Sequence, residues 1–316
     1  MPSLLVTGAS GFVGRRACFA LHERGFSVHA ISRKPCEWPL GIKAFTASAL
    51  SVLKHPSSAL EGVECVLHLA GRAHVIQETE HDPLSAFRNA NVSETLKLAR
   101  EASLAGVRRF IFVSSIKVNG EFTSPLTPFT EKDEVNPVDP YGISKYEAEL
   151  GLREIAVETG MEVVIVRPPL IYGPGVKGNF KVMMRLLALK APLPLGLITD
   201  NRRSLVALDN LIDFLALCAS HPQAAGRVFL VSDQHDVSTA ELLRLLGLEM
   251  GLTARLFPVP RVLLGIAANL SRKRSAYQRL CESLVVDSSS ASRLLGWAPP
   301  LAFDEGLRRA AMDFVA

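Results

Sequence analysis

The chain has 316 residues, 48% of them hydrophobic and 21% charged, which is enough to bury the core of one large α/β domain or of two smaller domains. Its 35 basic and 31 acidic residues are scattered along the whole length, so the net charge of +4 comes without the basic stripe that nucleic-acid binding requires. Five widely separated cysteines, with no CxxC pair and no clustered histidines, predict neither a disulfide framework nor a metal site.

The apolar segments are too short for membrane spans. The stretch "VLLGIAANL" falls well short of the roughly 20 residues that a spanning helix needs, and "SLLVTG" at the start lacks the basic region and cleavage site of a signal peptide. We therefore expect a cytoplasmic protein without an integral membrane segment. The helix near 260–270, which Arg272, Lys273 and Arg274 follow, is interpreted as a buried helix with a solvated basic end, and a helix that touches a membrane surface is the alternative.

Short β-branched runs alternate with helical patterns along the first half of the chain. In chain order, strands are expected in "LLVT", "SVHAIS", "VECVLHLAG", "RFIFVSS" and "EVVIVRPPLIYGPG", and one of the helices between them is a long one over 83–105. This rhythm is typical of a parallel sheet with crossover helices. The predicted fold class is α/β, a Rossmann-type doubly wound parallel sheet with a smaller C-terminal substrate-binding α/β region. We expect the first domain to span 1–170, with 205–230 returning to it, and the second region to span 171–316.

A glycine-rich loop follows the first predicted strand. "TGASGFVG" places Gly8, Gly11 and Gly14 between this strand and the first helix, where glycine lets the backbone approach a pyrophosphate held at the helix N-terminus. The spacing is GxxGxxG, and the alternative is a plain tight turn. The loop predicts a dinucleotide site, with Ser10, Phe12 and Val13 as further cofactor-binding residues.

The second strand ends without the carboxylate that would hydrogen-bond the ribose of NAD. "VHAISRKP" instead supplies Ser32, Arg33 and Lys34, a hydroxyl followed by two cations, which is what a 2'-phosphate needs. NADP(H) is therefore the preferred cofactor and NAD(H) the alternative. Arg33 and Lys34 can also be read as a merely solvated loop.

Tyr141 and Lys145 lie four places apart at the head of a predicted helix and share one face with Ala148, Leu152 and Ile155. The apolar residues of this stripe direct the lysine inward, where a cation must be compensated by partners or shift its pKa. The spacing alone does not separate a catalytic pair from a structural one.

Together, TGxxGxxG, "HLAG" at the end of the strand in "VECVLHLAG", "VSS" at the end of the strand in "RFIFVSS" and YxxxK on the next helix resemble the extended short-chain dehydrogenase/reductase family over nearly the whole chain. "RPPLIYGPG", "GNF" and "RSLVALDNL" are most similar to the branch that acts on nucleotide sugars. The resemblance implies a UDP-sugar substrate and a homodimer formed through the helices at 83–105 and 141–159.

The resemblance also assigns residues. It implies that Tyr141 is the catalytic acid/base, that Lys145 holds the nicotinamide ribose and that Ser115 binds the reacting sugar oxygen. A neighbouring ammonium and a positive nicotinamide are expected to lower the tyrosine pKa from near 10 toward working pH. The remaining expected cofactor-binding residues are Leu69, Ala70, Gly71, Asn91 and Pro168, and the expected substrate-binding residues are Lys117, Asn179, Arg203 and Arg279.

Several of these residues keep a simpler interpretation. Asn91 can equally satisfy local backbone, and Lys117, which can bind a sugar oxyanion or a phosphate, can equally be a snorkelling surface lysine. Arg203 matches the arginine that grips the sugar-nucleotide diphosphate, while Asn179 and Arg279 are weaker matches that can be ordinary surface residues.

The stretch "SSIKVNG" narrows the reaction that the resemblance implies. Ile116 and Lys117 stand where 4,6-dehydratases of the family carry Asp-Glu, and Ile116 stands where GDP-fucose-forming enzymes carry cysteine. The reactions that remain are epimerisation at carbon 4 of the sugar and reduction of a ketone at that carbon. We expect an NADP(H)-dependent reductase of a UDP-4-keto-6-deoxy-N-acetylhexosamine in bacterial surface polysaccharide synthesis, with an NAD-dependent UDP-hexose 4-epimerase as the alternative. A noncatalytic dinucleotide sensor is the alternative of another class.

Overall fold

Nine strands and eleven helices lie within residues 2–73, 82–124 and 126–315, the parts of the chain that this computed structural model describes. The strands are β1 Ser3–Thr7, β2 Ser27–Ser32, β3 Lys43–Thr46, β4 Cys65–His68, β5 Arg109–Val113, β6 Glu162–Arg167, β7 Leu170–Tyr172, β8 Leu205–Ala207 and β9 Val228–Leu230. The helices are α1 Phe12–Glu23, α2 Pro83–Arg88, α3 Glu94–Leu104, α4 Pro140–Thr159, α5 Gly178–Ala188, α6 Leu208–Ser220, α7 Thr239–Glu249, α8 Arg261–Leu270, α9 Arg274–Cys281, α10 Ser289–Leu295 and α11 Phe303–Val315.

Seven of these strands form one parallel sheet in the order β3-β2-β1-β4-β5-β6-β9. β1 lies third in this order, with Leu5 paired with His29 of β2 on one side and with Val66 of β4 on the other. The strand order reverses between β1 and β4, which is the position at which sheets of this kind have a crevice for a ligand, at the carboxyl ends of their strands. The predicted Rossmann-type fold class is confirmed.

Alternating side chains of the strands fill the two faces of the sheet. In β1, Leu4 and Val6 join the core under α1 and α6, while Leu5 joins the core under α3 and α4. Because successive side chains of a strand point to opposite faces, a strand buried on both sides is apolar at every position. This explains the unbroken apolar runs in the sequence.

The helix expected over 83–105 is interrupted. α2 and α3 are joined by a π-helical turn, Asn89–Ser93. Such turns are rare in proteins, and those that occur are often found at functional sites. This one contains Asn91.

The second half of the chain builds a separate small sheet and contributes one strand to the main sheet. β7 pairs with β8, and β9 pairs with β6 at the edge of the main sheet. Within 205–230, therefore, β8 lies outside the main sheet, whereas α6 packs against it and β9 belongs to it. A third core lies among α5, α7, α11 and the small sheet. The division into 1–170 and 171–316 stays a prediction.

The helix near 260–270 is not buried. α8 contains no buried residue, and its most apolar face is exposed. The interpretation of this segment as a buried helix is wrong, because only the opposite face, which includes Leu264, has a core to pack against. None of the helices in the described ranges is both long and apolar enough to cross a bilayer.

Candidate active site

The glycine-rich loop lies where β1, α1 and the end of β4 meet. Gly8 has a φ of 65°, and a Cβ there would lie 2.8 Å from the backbone nitrogen of Ala70. A Cβ on Gly14 would collide with the carbonyl oxygen of Gly8, so helix and loop approach as closely as glycine allows. Ser10 is exposed, and Phe12 and Val13 are half-buried.

The N-terminus of α1 is suited to an anion. Gly11 precedes the helix, no side chain caps it, and its first turn contains no acidic residue. The first backbone N–H groups of a helix have no intrahelical acceptor and carry partial positive charge, so they bind phosphate well. The pyrophosphate of a dinucleotide fits this helix N-terminus, because the first turn offers backbone N–H groups and no acidic side chain.

The end of β2 carries hydroxyl and cationic groups. Ser32 is buried, and its Oγ donates a hydrogen bond of 2.6 Å to the carbonyl oxygen of Lys34. Arg33 and Lys34 are exposed. The bond of Ser32 holds the turn in which the two cations stand, and its oxygen can still accept a hydrogen bond.

A buried hydrogen-bonded chain lies behind the crevice. His68 Nδ1 lies 2.9 Å from Thr7 Oγ1, and His68 Nε2 lies 2.9 Å from Thr95 Oγ1, which itself donates to the carbonyl oxygen of Asn91. Because the proton of Thr95 is committed to that carbonyl, Thr95 accepts from Nε2–H and Nδ1 accepts from Thr7. Burial, and secondly the charge of Lys145, lower the pKa of His68 to about 3. The ring is therefore neutral.

The same threonine organises the "HLAG" loop. The backbone nitrogens of Leu69 and Ala70 both donate to Thr7 Oγ1 at 3.2 Å. The loop is thus tied to β1 beside the glycine-rich loop. Gly71, the last residue of the motif, is exposed.

Asn91 is buried in the π-helical turn. Its Oδ1 accepts from the backbone nitrogen of Arg72 at 2.7 Å, and its Nδ2 donates to the carbonyl oxygen of Arg72 and to Ser144 Oγ. Asn91 therefore satisfies backbone groups, as the simpler interpretation expected, and at the same time attaches α4 to the "HLAG" loop. A Cβ on Gly71 would lie 3.0 Å from Asn91 Oδ1 and 3.5 Å from Lys145 Nζ, which puts this loop beside the lysine.

Lys145 faces inward, as the helical spacing predicted. Its side chain is buried, its Nζ donates to the carbonyl oxygen of Val113 at 2.9 Å, and the ammonium lies 4.5 Å from the ring centroid of Phe112. Burial lowers the pKa of Lys145 to about 8, and the charge of Glu149 opposes this shift. The ammonium is thus held at the end of β5 by one carbonyl and one ring face.

Tyr141 stands next to Ser115 at the start of α4. The hydroxyl of Ser115 interacts with the phenol of Tyr141, and the ring of Phe87 meets Tyr141 edge-on, with 6.1 Å between the ring centroids. Burial of the phenol raises the pKa of Tyr141 to about 12; the interaction with Ser115 opposes this shift, and the charge of Asp139 adds to it.

The direction of the tyrosine pKa differs from the expected one. A nearby ammonium was expected to lower it, but the protein alone raises it. Lys145 Nζ lies 6.0 Å from the ring centroid of Tyr141, so its attraction for the phenolate is weaker than the cost of desolvating that phenolate.

A buried ion pair that sequence reasoning missed lies one helical turn beyond Lys145. Arg167, at the end of β6, binds both oxygens of Glu149 through Nε and Nη2, and Ser114 Oγ donates to Glu149 Oε1 at 2.6 Å. Arg167 Nη1 donates to Asn119 Oδ1 at 3.0 Å, so Asn119 is a structural partner within this buried network. The only sequence signal was the spacing of Glu149, four residues after Lys145.

Two carboxylates surround the ammonium of Lys117. Its ammonium forms ion pairs with Asp139 and with Glu121. Asp139 also caps α4, since its Oδ1 accepts from the backbone nitrogen of Gly142 at 2.6 Å. These contacts favour a role in holding the start of α4 over direct contact with a substrate phosphate.

Two arginines come together in the C-terminal region. Arg203 is half-buried, its Nη1 donates to the carbonyl oxygen of Glu282 at 3.1 Å, and burial together with the charge of Arg279 lowers its pKa to about 10. The recorded hydrogen bonds of Arg279 go to Ser275 within its own helix. Two neighbouring guanidinium groups without a recorded carboxylate partner in the described residues suit a strongly anionic group.

The other two expected residues are in different settings. Asn179 is exposed in the first turn of α5. Pro168 is buried, and its carbonyl oxygen accepts from the backbone nitrogen of Ile116 at 3.0 Å, which connects β6 to the loop that carries Ser115.

Comparisons with known proteins show what this chain is similar to. Residues 4–232 match the model of the NAD dependent epimerase/dehydratase family. A UDP-glucose 4-epimerase of Vibrio cholerae is 42% identical over 99% of this chain and 95% of its own length, and a GDP-6-deoxy-D-mannose reductase of Pseudomonas aeruginosa is 27% identical over 98% and 96%.

Solved structures show the same fold. A UDP-glucose 4-epimerase of Thermotoga maritima with UDP-glucose superposes with a TM-score of 0.79 at 22% identity, covering 99% of this chain and 98% of that one. A UDP-glucuronic acid 4-epimerase of Bacillus cereus in complex with NAD gives a TM-score of 0.79 at 20% identity, with coverage of 99% and 98%. The matched sequence, the seven-stranded sheet and the resemblance of the motifs lead to one assignment: this chain belongs to the NAD dependent epimerase/dehydratase family, within the extended short-chain dehydrogenase/reductases.

Proposed function

We propose that this protein uses NADPH to reduce the 4-keto group of a UDP-linked sugar, with UDP-4-keto-6-deoxy-N-acetylhexosamine as the substrate and bacterial surface polysaccharide synthesis as the setting. The observation that carries the proposal is the end of β2, where Arg33 and Lys34 are exposed and no carboxylate stands. Two cations suit a 2'-phosphate, whereas a carboxylate would repel it. A reductase renews its cofactor at every turnover and therefore profits from the NADPH pool.

The residues around Tyr141 suit ketone reduction. A bound nicotinamide cofactor supplies the hydride to carbon 4. The hydroxyl groups of Ser115 and Tyr141 lie side by side, so a sugar oxygen that binds beside them meets two groups that can donate. Because the pKa of Tyr141 is raised to about 12, the phenol carries its proton at neutral pH and can deliver it to the developing alkoxide.

Lys145 has two tasks in this proposal. Its ammonium, fixed by the carbonyl oxygen of Val113, lies beside Gly71 and so faces the groove where the nicotinamide ribose is expected. Its charge stabilises the phenolate that remains after the proton has left Tyr141.

Substrate binding is assigned to the C-terminal region. Arg203 and Arg279 repel one another across a partly desolvated site, and a diphosphate between them replaces this repulsion by charge-assisted hydrogen bonds. Asn179, at the exposed start of α5, remains a proposed further contact.

A homodimer through α3 and α4 is part of the proposal. Large apolar side chains stand exposed on or beside these helices, namely Leu104, Leu150 and Val157. Apolar groups in such positions are typical of a surface that a partner covers.

A second candidate function is an NAD-dependent UDP-hexose 4-epimerase. It is favoured by the Vibrio cholerae relative, a UDP-glucose 4-epimerase that is 42% identical over 99% of this chain. The same Ser115, Tyr141 and Lys145 would serve, but the tyrosine would first have to act as a base.

The deciding experiment offers the purified protein UDP-4-keto-6-deoxy-N-acetylglucosamine with NADPH or NADH and follows the absorbance of the reduced coenzyme. We expect consumption of the sugar with a preference for NADPH, and loss of that preference in Arg33→Gln/Lys34→Gln. Tyr141→Phe is the inactive control. Tightly bound NAD that co-purifies, together with interconversion of UDP-sugar 4-epimers and no net coenzyme consumption, would establish the epimerase instead. Absence of both activities, with dinucleotide binding retained, would favour a sensor.

A further inference from the structure

One face of α8 is apolar and exposed. Val262, Leu263, Ile266 and Leu270 are 73%, 56%, 51% and 83% exposed. Because a helix turns by about 100° per residue, these four positions fall within a single arc of roughly a third of its circumference. Surface apolar residues usually occur singly, and a contiguous set on one helix marks a contact surface.

The helix is fixed in this orientation. Its opposite side packs on α9, where Gly265 approaches the ring of Tyr277. At its start, Arg261 forms an ion pair with Asp200 at 2.8 Å and donates to the carbonyl oxygen of Cys281. These contacts therefore keep the apolar face of α8 exposed on the surface of the folded protein.

The chain segment that carries this face has only basic charges, although Asp200 and Glu282 from outside the segment pair with Arg261. Between 250 and 281 the chain has no acidic residue and six basic ones, Arg255, Arg261, Arg272, Lys273, Arg274 and Arg279. Three of them, Arg272, Lys273 and Arg274, come directly after the helix and are exposed. Within the part of the chain that the structure describes, none of these three side chains forms an ion pair.

We propose that α8 and the basic cluster 272–274 form a docking surface for an anionic lipid bilayer. An apolar helix face that ends in a group of cations lies in the plane of a bilayer, with its apolar side chains in the acyl boundary and its cations among anionic head groups. A second copy of the chain fits less well, because pairing through α8 would bring together two segments that have six cations each and no acidic residue. An acidic face on a protein partner would balance the cations but would leave the apolar arc uncovered unless it were apolar too.

The surface is next to the substrate region. α8 packs on α9, and α9 carries Arg279, whose charge acts on Arg203. A protein docked in this way holds its C-terminal region against the membrane. The inference does not depend on which reaction the enzyme catalyses.

The test is sedimentation of the full-length protein with vesicles of phosphatidylcholine alone or with about 30% phosphatidylglycerol, an anionic lipid. We expect binding to the anionic vesicles, little binding to the neutral ones, and weakening by salt. A cation near an anionic surface contributes about a fivefold factor to partitioning, so Arg272→Gln/Lys273→Gln/Arg274→Gln lowers the partition coefficient by roughly a hundredfold. The matched control Lys43→Gln/Lys54→Gln/Arg185→Gln removes the same charge from exposed sites elsewhere and leaves binding unchanged.

A second pair of variants tests the apolar face. Ile266→Gln/Leu270→Gln weakens vesicle binding, whereas Leu248→Gln, on an exposed position of α7, does not. All of these substitutions are at exposed sites, so thermal unfolding stays unchanged. Failure of the wild-type protein to sediment with anionic vesicles overturns the proposal, and so does an equal loss of binding in both charge variants. Self-association that Ile266→Gln/Leu270→Gln abolishes, without vesicle binding, assigns the surface to a second copy and likewise overturns the proposal.

Discussion

Replacing Lys145 by methionine tests the electrostatics of the site, because the lysine charge is buried at a cost to the fold. The pKa of Lys145 falls from 10.5 to about 8 on folding, so the unfolded chain binds this proton more strongly than the folded one. The difference corresponds to about 3 kcal/mol below pH 8, where both states are protonated. Between about 8 and 10.5 the folded state loses the proton first and the cost disappears. Stability therefore rises with pH through this window.

The measurement is urea unfolding of the wild type and of Lys145→Met at several pH values. Between about pH 7 and pH 10, the free energy of unfolding of the wild type should gain about 2.5 kcal/mol relative to the variant. Other groups titrate in both proteins and cancel in the comparison. Parallel stability curves for the two proteins would refute the reasoning, since they would mean that the ammonium keeps its ordinary pKa in the folded state.

Three further substitutions follow from the same geometry. Glu149→Gln leaves Arg167 buried without its counter-charge and should cost about 3–5 kcal/mol of unfolding free energy, measured by urea unfolding; a variant as stable as the wild type would contradict this. Tyr141→Phe removes the proton donor and should lower kcat by about 10²–10⁴ with little change in KM; a loss confined to KM would rule out the acid role. Arg203→Gln should weaken UDP binding in calorimetry by about 10- to 100-fold, while the exposed neighbour Arg202→Gln should not, and equal effects of the two would argue against a specific site.

The order of the elements could be predicted because its signals are local. Strand alternation, turn residues and the glycine-rich loop each involve neighbours in sequence, and the sheet agrees with them. The inward direction of Lys145 also followed from a local stripe, since Ala148, Leu152 and Ile155 are completely buried on the same face.

The electrostatic details of the site depend on residues that are far apart in sequence. Asp139 forms an ion pair with Lys117, which lies 22 positions earlier in the chain. Arg167 forms an ion pair with Glu149 only because the end of β6 lies beside α4. The raised pKa of Tyr141 reflects burial, which no spacing encodes. The exposure of α8 could not be predicted either, because an apolar helical pattern in a sequence looks the same whether the helix packs on a core or lies at a surface.

The buried networks explain how a costly lysine stays in place. On one side of it, Ser144 of α4 is bound to Asn91 in the π-helical turn, and on the other side Glu149 is bound to Arg167 at the end of β6. The first network connects α4 to the loop after β4 and the second connects it to the end of β6, so α4 cannot rotate the ammonium of Lys145 toward solvent without breaking a buried polar contact. The interactions of its helix neighbours therefore fix the position of Lys145, although burying its charge costs free energy of folding.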